Sequence, residues 1–451
     1  MAEQSLDKYA RRQVPRYTSY PTAPHFNPAF RAETYAGWLS SLDPAEPVSL
    51  YLHVPFCKQL CWYCGCNMKL ASRAAPIVQY AATLMEEIKL LKRHLPGRMT
   101  VSHLHWGGGT PTTLPPDVLA RIMEMIRADF DFLDGAELAI ESDPRHLSSE
   151  MIRRIGHLGF TRASFGVQEF DPKVQAAINR IQPPDMVQTA VEGLRDAGVG
   201  GINFDLIYGL PHQTVASLLE SIRLSVAMQP DRIAIFGYAH VPWMAKKQRL
   251  IDAAALPDTE DRLDQAQAAS AALSRSGYVP IGLDHFALPT DAMAAAVRDG
   301  TLHRNFQGYT TDQAETLLGL GASSIGRTPW GYVQNISETG AWAKAIDAGT
   351  LPAAKGILVS PEDRLRGYVI ERLMCFGEAD LVAAADRFGA APDWFLDTVV
   401  DSLDTLRADG LIMFEDGVVQ VTDIGAPLVR VVASAFDRFF TATKDRHAIA
   451  V

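Results

Sequence analysis

The sequence predicts an α/β fold: a partial (β/α)6 TIM-like barrel, preceded by an N-terminal arm and followed by a mainly helical C-terminal domain. Short runs rich in β-branched and aromatic residues alternate with helical-period segments along the middle of the chain. This alternation is typical of βαβ crossovers and hence of a parallel sheet. About six consecutive units favour a partial or complete barrel, and a doubly wound open sheet is the competing architecture.

The predicted strands and helices follow one another closely. The strands are expected at 48–54, 101–106, 136–141, 161–167, 202–208 and 232–238. Helices are expected at 77–94, 116–129, 185–197 and 214–228. Three parts result: an arm at 1–46 that covers the active site, a barrel with its extension at 47–350, and a C-terminal domain at 351–451. Within the last part, 361–375 and 393–408 are predicted helices and 412–422 a short β segment.

Composition excludes several classes of protein. The chain has 451 residues, of which 47% are hydrophobic, so it can bury a large core. It carries 42 Lys and Arg against 52 Asp and Glu, a formal net charge of −10, and this balance argues against a nucleic-acid partner. No run of 18 apolar residues occurs, and the first residues lack a signal peptide. We therefore expect a cytoplasmic protein that does not bind membranes. A monomer is expected as well, although these features do not determine the oligomeric state.

The cysteines give the strongest chemical signal. Cys57, Cys61, Cys64 and Cys66 lie within ten residues, whereas Cys375 stands alone in a helical pattern. A structural zinc site usually pairs two separated C-x2-C knuckles, and no second pair follows here. Three thiolates on one tight loop suit a [4Fe–4S] cluster whose fourth iron has no protein ligand. Cys66 is either that fourth ligand or a non-ligand, and its spacing favours the non-ligand because reaching the last corner would strain the loop.

Other distinctive residues also follow predicted strands. Because the loops after parallel barrel strands converge at one mouth, we expect them to line one cavity with the cysteines. The run Gly107-Gly108-Gly109-Thr110 would let the backbone approach a ligand closely. Glu141 and Asp205 are candidates for hydrogen bonds to a ribose or an amino group, and Arg180 for a ligand carboxylate. By contrast, His53, His105 and His285 are expected not to be ligands.

Longer motifs carry a family resemblance. The cysteine spacing resembles the radical S-adenosylmethionine (SAM) signature, and the wider sequence is similar to the oxygen-independent coproporphyrinogen III oxidases of haem biosynthesis. The likeness spans residues 15–311. The matching stretches are PRYTSYPTA (15–23), YLHVPFCKQLCWYCGCN (51–67), LHWGGGTPT (104–112), ESDPR (141–145), GVQEF (166–170), NFDLIYGLP (203–211), GLDHFA (282–287) and HRNFQGYTT (303–311).

The resemblance implies a [4Fe–4S] cluster on Cys57, Cys61 and Cys64, with SAM on the open iron and a second SAM able to sit beside the first. The SAM contacts carried over by motif are Tyr51, Tyr63, Gly108, Gly109, Thr110, Glu141, Gln168, Arg180, Asp205, Ala239 and Ile325.

The implied reaction uses a SAM-derived 5′-deoxyadenosyl radical to decarboxylate two propionates of coproporphyrinogen III oxidatively, giving protoporphyrinogen IX. It implies an electron donor such as a flavodoxin or ferredoxin and a terminal acceptor that the sequence does not identify. We further expect the arm to close over the barrel mouth, with Arg16 helping to bind the tetracarboxylate substrate.

Three alternatives remain at the level of sequence. One is a haem-binding chaperone of the same family, although such siblings usually lack the PRYTSYPTA arm, the fourth cysteine and the HRNFQGYTT segment, which are present here. Another is an electron carrier with a fully ligated cluster. The third is a radical SAM enzyme that acts on a different tetrapyrrole.

Overall fold

The computed structural model describes residues 8–10 and 12–440. Its centre is a twelve-stranded sheet that contains six parallel strands arranged in chain order. These barrel strands are β1 (Val48–Val54), β2 (Thr100–Gly108), β3 (Asp131–Ser142), β4 (Arg162–Gln168), β5 (Gly201–Tyr208) and β6 (Arg232–Gly237). The predicted α/β fold with a partial barrel is confirmed.

Helices connect the barrel strands and cover the sheet. They span Ala74–His94, Pro116–Asp129, Ser149–His157, Pro172–Ala177, Pro184–Asp196, Val215–Ala227 and Thr259–Arg275. Their buried apolar residues pack with those of the strands in one core that includes Leu50, Ile88 and Phe204. Because a right-handed crossover returns each helix to the same side of the sheet, the loops after the strands gather at one end.

Further strands extend both sides of the barrel. Thr316–Leu320 pairs in parallel with β1, and three antiparallel strands follow it: Ile325–Thr328, Gly331–Asn335 and Ala353–Leu358. At the other side, β6 pairs antiparallel with His285–Ala287, which pairs with Val279–Ile281. The two outermost strands of this sheet do not pair with each other, so the barrel is open rather than closed.

The remaining elements flank the barrel. They are the helices Ala32–Ser40, Ala292–Arg298 and Thr339–Asp347 and the two-stranded hairpin His303–Asn305 with Gly308–Thr310. No helix in the described ranges is both long and apolar enough to span a bilayer.

The C-terminal part is mainly helical, as predicted. Its helices are Pro361–Phe376, Leu381–Arg387, Pro392–Asp397, Val400–Ala408 and Val429–Ala433, and its small sheet contains Glu378–Asp380, Ile412–Glu415 and Val418–Val421. The division of the chain at residues 46 and 350 stays a prediction.

The N-terminal arm packs against this C-terminal part. Val14, Tyr17 and Tyr20 are buried in the same apolar cluster as residues of the C-terminal helices. The Tyr17 hydroxyl donates to Asp437 Oδ2 at 3.1 Å, and the backbone N–H of Arg438 donates to the Tyr20 hydroxyl at 3.1 Å. The C-terminal part therefore fixes where residues 14–16 of the arm lie.

Candidate active site

The carboxyl ends of the barrel strands open into a cavity of about 660 Å³. Most residues predicted from the sequence to hold a cofactor share this cavity. Its lining includes Cys57, Cys61, Tyr63, Cys64, Gly108, Gly109, Thr110, Glu141, Gln168, Arg180, Asp205 and Ala239, together with Arg16 from the arm. Their common location supports the expected convergence, and the individual role of each side chain remains a prediction.

Two predicted contact residues lie outside the cavity lining. Tyr51 lies within β1, and its hydroxyl is 3.0 Å from His53 Nδ1. Ile325 begins the strand Ile325–Thr328 beyond the barrel and is half-buried. Both residues entered through the family resemblance alone, and their roles stay predictions.

The cysteine loop is held at both of its ends. Phe56–Cys57 pairs in parallel with Lys69–Leu70, which brings the start and the end of the loop together. Inside the loop, the backbone N–H of Trp62 donates to the Ile178 carbonyl at 3.0 Å, and Gln248 Nε2 donates to the Tyr63 carbonyl at 2.7 Å. The loop geometry is thus set by two other segments of the barrel.

Two arginines surround the sulfur of Cys61, which is buried. Arg145 Nη2 lies 3.2 Å from this sulfur and Arg180 Nη1 lies 3.3 Å from it. Asp143 bridges both guanidinium groups, at 2.6 Å from Arg145 Nη2 and 3.4 Å from Arg180 Nη1. Burial alone would raise the pKa of Asp143, but the charges of Arg180 and Arg145 lower this pKa to about 2.

Arg145 is a site residue that the sequence analysis did not single out. It lies in the ESDPR stretch, in which only Glu141 was predicted to be a site residue. Arg180 donates to the Gly166 carbonyl and contacts Cys61 and Asp143, and its binding of a ligand carboxylate stays a prediction. Two positively charged guanidinium groups thus lie beside one cysteine sulfur of the cavity.

The donor set fits an iron–sulfur cluster. The backbone N–H of Cys66 donates to Cys64 Sγ at 3.4 Å, and Thr110 Oγ1 lies 3.6 Å from Cys57 Sγ. Hydrogen bonds and cationic groups around thiolates are the features that tune such clusters. Across residues 8–10 and 12–440, no three His, Cys, Asp or Glu side chains converge closely enough to hold a single metal ion. Cys66 also lines the cavity.

The glycine run forms one wall of the cavity and cannot carry side chains. A Cβ at Gly108, whose φ is +116°, would lie 2.7 Å from the His53 ring. A Cβ at Gly109 would lie 2.7 Å from the Phe56 carbonyl oxygen. Only glycine therefore lets this loop pack against the end of β1, where the cysteine loop begins.

Glu141 and Asp205 both line the cavity, but their pKa values are shifted in opposite directions. Glu141 lies 3.2 Å from His105 Nε2 and accepts the Gly108 N–H at 3.1 Å. These contacts lower the pKa of Glu141 despite burial. Burial and the Glu141 charge raise the pKa of Asp205 to about 7, against weaker opposing effects of His105 and Arg180, with Asp284 adding to the rise. Glu141 is thus an anionic acceptor, whereas Asp205 titrates near neutrality.

Asp205→Asn should remove a pH-dependent part of the stability of the ligand-free protein. Between about pH 4 and about pH 7 folded Asp205 retains a proton that the unfolded chain has lost, so its contribution to stability falls as pH rises through this range. Relative to the asparagine variant, the wild type should lose on the order of 2–4 kcal/mol across that range and nothing further above it. Urea unfolding at several pH values measures this difference.

Asp299→Asn, at an exposed position, is the matched control and should parallel the wild type at every pH. A constant difference between wild type and D205N from about pH 4 to about pH 8 would show that Asp205 does not hold its proton in the folded state.

Comparison with known proteins agrees with this site. Residues 51–225 match the radical SAM superfamily, and residues 359–428 match the HemN C-terminal domain. The chain is 50% identical to the oxygen-independent coproporphyrinogen III oxidase of Bradyrhizobium diazoefficiens over 98% of both chains. It is 39% identical to the protein of the same name from Pseudomonas aeruginosa, over 94% of this chain and 93% of that one.

A solved structure shows the same fold over almost the whole chain. Coproporphyrinogen III oxidase (HemN) from Escherichia coli, described as a radical SAM enzyme, aligns with a TM-score of 0.90 and 37% identity. The alignment covers 95% of this chain and 100% of that one. This chain therefore belongs to the oxygen-independent coproporphyrinogen III oxidases, a family of radical SAM enzymes.

Proposed function

We propose that this protein converts coproporphyrinogen III to protoporphyrinogen IX without oxygen. Each of two propionate side chains loses one hydrogen atom, one CO2 and one electron, and becomes a vinyl group. The observation that carries the proposal is the shared cavity, which brings three cysteine thiols, two carboxylates of the barrel strands and an arginine of the arm together. The family match over nearly the full length of both chains supports the same reaction.

Radical SAM enzymes of this family use a [4Fe–4S] cluster and SAM. Cys57, Cys61 and Cys64 would hold the cluster, and Glu141 and Asp205 would accept hydrogen bonds from SAM. When bound, these cofactors supply one-electron cleavage of SAM and the removal of a hydrogen atom from an unactivated carbon. The chain itself binds, orients and shields the reactants.

We assign the shielding of the reactants from water to the arm and to the loop after β6. Val14 and Pro15 are buried and line the cavity, and so do the half-buried Met68 of the cysteine loop and Val241 of the loop after β6. Apolar side chains at the mouth exclude water, which protects a reactive species from quenching. The packing of the arm on the C-terminal part thus serves the chemistry in the barrel.

The reaction also needs electron partners. We propose a flavodoxin or ferredoxin as the donor of the electron that cleaves SAM, and an acceptor of undefined class for the electron that leaves the substrate. A second SAM beside the first, action as a monomer and a cytoplasmic location belong to the same proposal.

Arg145→Gln should lower the reduction potential of the cluster. A positive charge beside Cys61 stabilises the reduced, more negative cluster, and its removal makes reduction harder. An EPR-monitored redox titration of the reconstituted protein measures the potential. Arg153→Gln, at an exposed position on the following helix, is the matched control and should leave the potential unchanged. A potential in R145Q equal to that of the wild type would contradict this role.

The reaction can be tested directly under anaerobic conditions. Reconstituted protein is incubated with SAM, dithionite and coproporphyrinogen III, and the products are oxidised and separated by chromatography. We expect the divinyl product in the wild type and none in Cys61→Ala. Cleavage of SAM without any divinyl product would overturn the proposal and would favour the haem-binding relatives of this family.

A further inference from the structure

The loop after β6 exposes apolar and basic side chains that no step of the proposed reaction uses. Its residues Lys246–Leu250 form a short 3-10 helix. Trp243 and Leu250 have exposed fractions of 50% and 55%, and Lys246 and Arg249 are exposed as well. Large apolar side chains that are exposed close together mark interaction surfaces, whereas isolated ones do not.

Gln248 fixes this loop against the cysteine loop. It is buried, its Nε2 donates to the Tyr63 carbonyl at 2.7 Å, and its Oε1 accepts the Val241 N–H at 2.6 Å. Next to it, Lys247 Nζ donates to the Cys66 carbonyl at 3.3 Å. The loop after β6 therefore lies directly beside the segment that carries the proposed cluster ligands.

The same loop has one side towards the cavity and another towards solvent. Val241 belongs to the cavity lining, whereas Trp243, Arg249 and Leu250 do not. Arg249 Nε donates to the Pro242 carbonyl at 3.3 Å, which folds the chain back and brings this guanidinium next to the segment that carries Trp243. The outer side of the loop therefore presents apolar and cationic side chains together.

The two segments that meet here carry only positive charge. Neither residues 47–85 nor residues 232–251 contain an Asp or a Glu, although acids outnumber Lys and Arg by 52 to 42 in the whole chain. Their seven Lys and Arg residues are Lys58, Lys69, Arg73, Arg232, Lys246, Lys247 and Arg249. Two of the seven, at positions 69 and 232, pair with carboxylates of other segments, and the other five form no salt bridge with any residue that the structure describes.

The proposed function requires that an electron reach the cluster from another protein. Because the rate of electron tunnelling falls steeply with distance, this donor must dock close to the cysteine loop. Electron-transfer partners use small, transient interfaces, and an acidic partner complements a surface of unpaired cations. The exposed indole of Trp243 favours a flavin as the donor group, because the dimethylbenzene edge of a flavin is apolar and aromatic.

We propose that Trp243, Lys246, Arg249 and Leu250, together the donor patch, dock an acidic flavodoxin that reduces the cluster. The inference rests on the proposed function. The cations attract the acidic protein and steer its approach, and the two apolar side chains contact the edge of its flavin. The reduced flavin loses one electron and the cluster gains it, and no bond or proton is exchanged between the two proteins.

The test compares two reductants of the reconstituted protein under anaerobic conditions. Stopped-flow absorbance follows reduction of the cluster by a fully reduced acidic flavodoxin, and separately by dithionite, which needs no docking surface. Lys246→Glu and Arg249→Glu should each lower the second-order rate constant with flavodoxin by about 3- to 10-fold at low ionic strength. Added salt should slow the wild type more than either variant, because it screens the attraction that the variants have lost.

Trp243→Ala should also slow reduction by flavodoxin, and this loss should persist at high salt, because it removes an apolar contact. Binding of oxidised flavodoxin to the immobilised protein, measured by surface plasmon resonance, is an independent readout, and the affinity should fall in all three variants. Iron content, reduction by dithionite and dithionite-driven formation of the divinyl product should match the wild type.

Arg275→Glu is the matched control, because it makes the same change of charge at the other end of the barrel. Arg275 is exposed at the end of the helix Thr259–Arg275. Shortly after it, the Tyr278 hydroxyl donates to the Pro230 carbonyl at 2.6 Å, just before β6 begins, whereas the donor patch follows the end of β6. R275E should accept electrons from flavodoxin at the wild-type rate.

The outcomes separate the donor patch from the proposed function. Unchanged rates with flavodoxin in K246E, R249E and W243A would overturn the donor patch and leave the proposed function intact. Equal losses with flavodoxin and with dithionite would also overturn it, because a docking surface does not affect a reductant that needs no docking. A wild type that accepts electrons from an acidic ferredoxin but not from flavodoxin would overturn the flavin partner. Absence of the divinyl product in the dithionite-driven wild type would instead overturn the proposed function.

Discussion

Six parallel strands end at the same side of one sheet, and this constraint determines where every residue with a proposed chemical role can lie. β1 leads directly into the cysteine loop, β2 into the glycine run, and β3 ends beside Glu141. Residues that are far apart in the sequence therefore line one cavity of about 660 Å³. The topology brings these strand ends together, and contacts from more distant segments then fix the cysteine loop.

Positive charge is concentrated at the cysteine loop, although the chain as a whole carries a negative net charge. A protein with a formal net charge of −10 places two guanidinium groups beside one cysteine sulfur of its cavity. At the cysteine loop, Arg145 and Arg180 contact the Cys61 sulfur and share Asp143 as a counterion. This arrangement suits a permanently bound anionic centre.

Much of the barrel could be predicted from local patterns. The predicted strand at 48–54 coincides with β1, and the predicted helix at 116–129 coincides with Pro116–Asp129. β3 begins at Asp131 rather than at 136, because its first residues are mostly exposed and lack the apolar alternation that marks a strand. Thr316–Leu320 was missed because five buried residues without alternation do not distinguish a strand from a short core segment.

Site residues could be predicted where the signal lies in the local sequence. They were missed where they meet the rest of the site only through contacts between distant segments. Cysteine spacing identified the loop, and position on the predicted strands placed Glu141 and Asp205 in the cavity. Arg145 was not predicted because it lies in the turn after β3. Glu141 lies on that strand and could be recognised from its position there.

The central claim is that the cysteine loop holds a cluster with one iron open to SAM. The most direct measurement is the EPR spectrum of the dithionite-reduced protein, recorded with and without SAM, in the wild type and in Cys66→Ala. The account predicts that SAM changes the spectrum in both proteins, since neither closes the fourth iron with a thiolate. A wild-type spectrum that is insensitive to SAM, or a purified protein that carries zinc in place of iron, would contradict it.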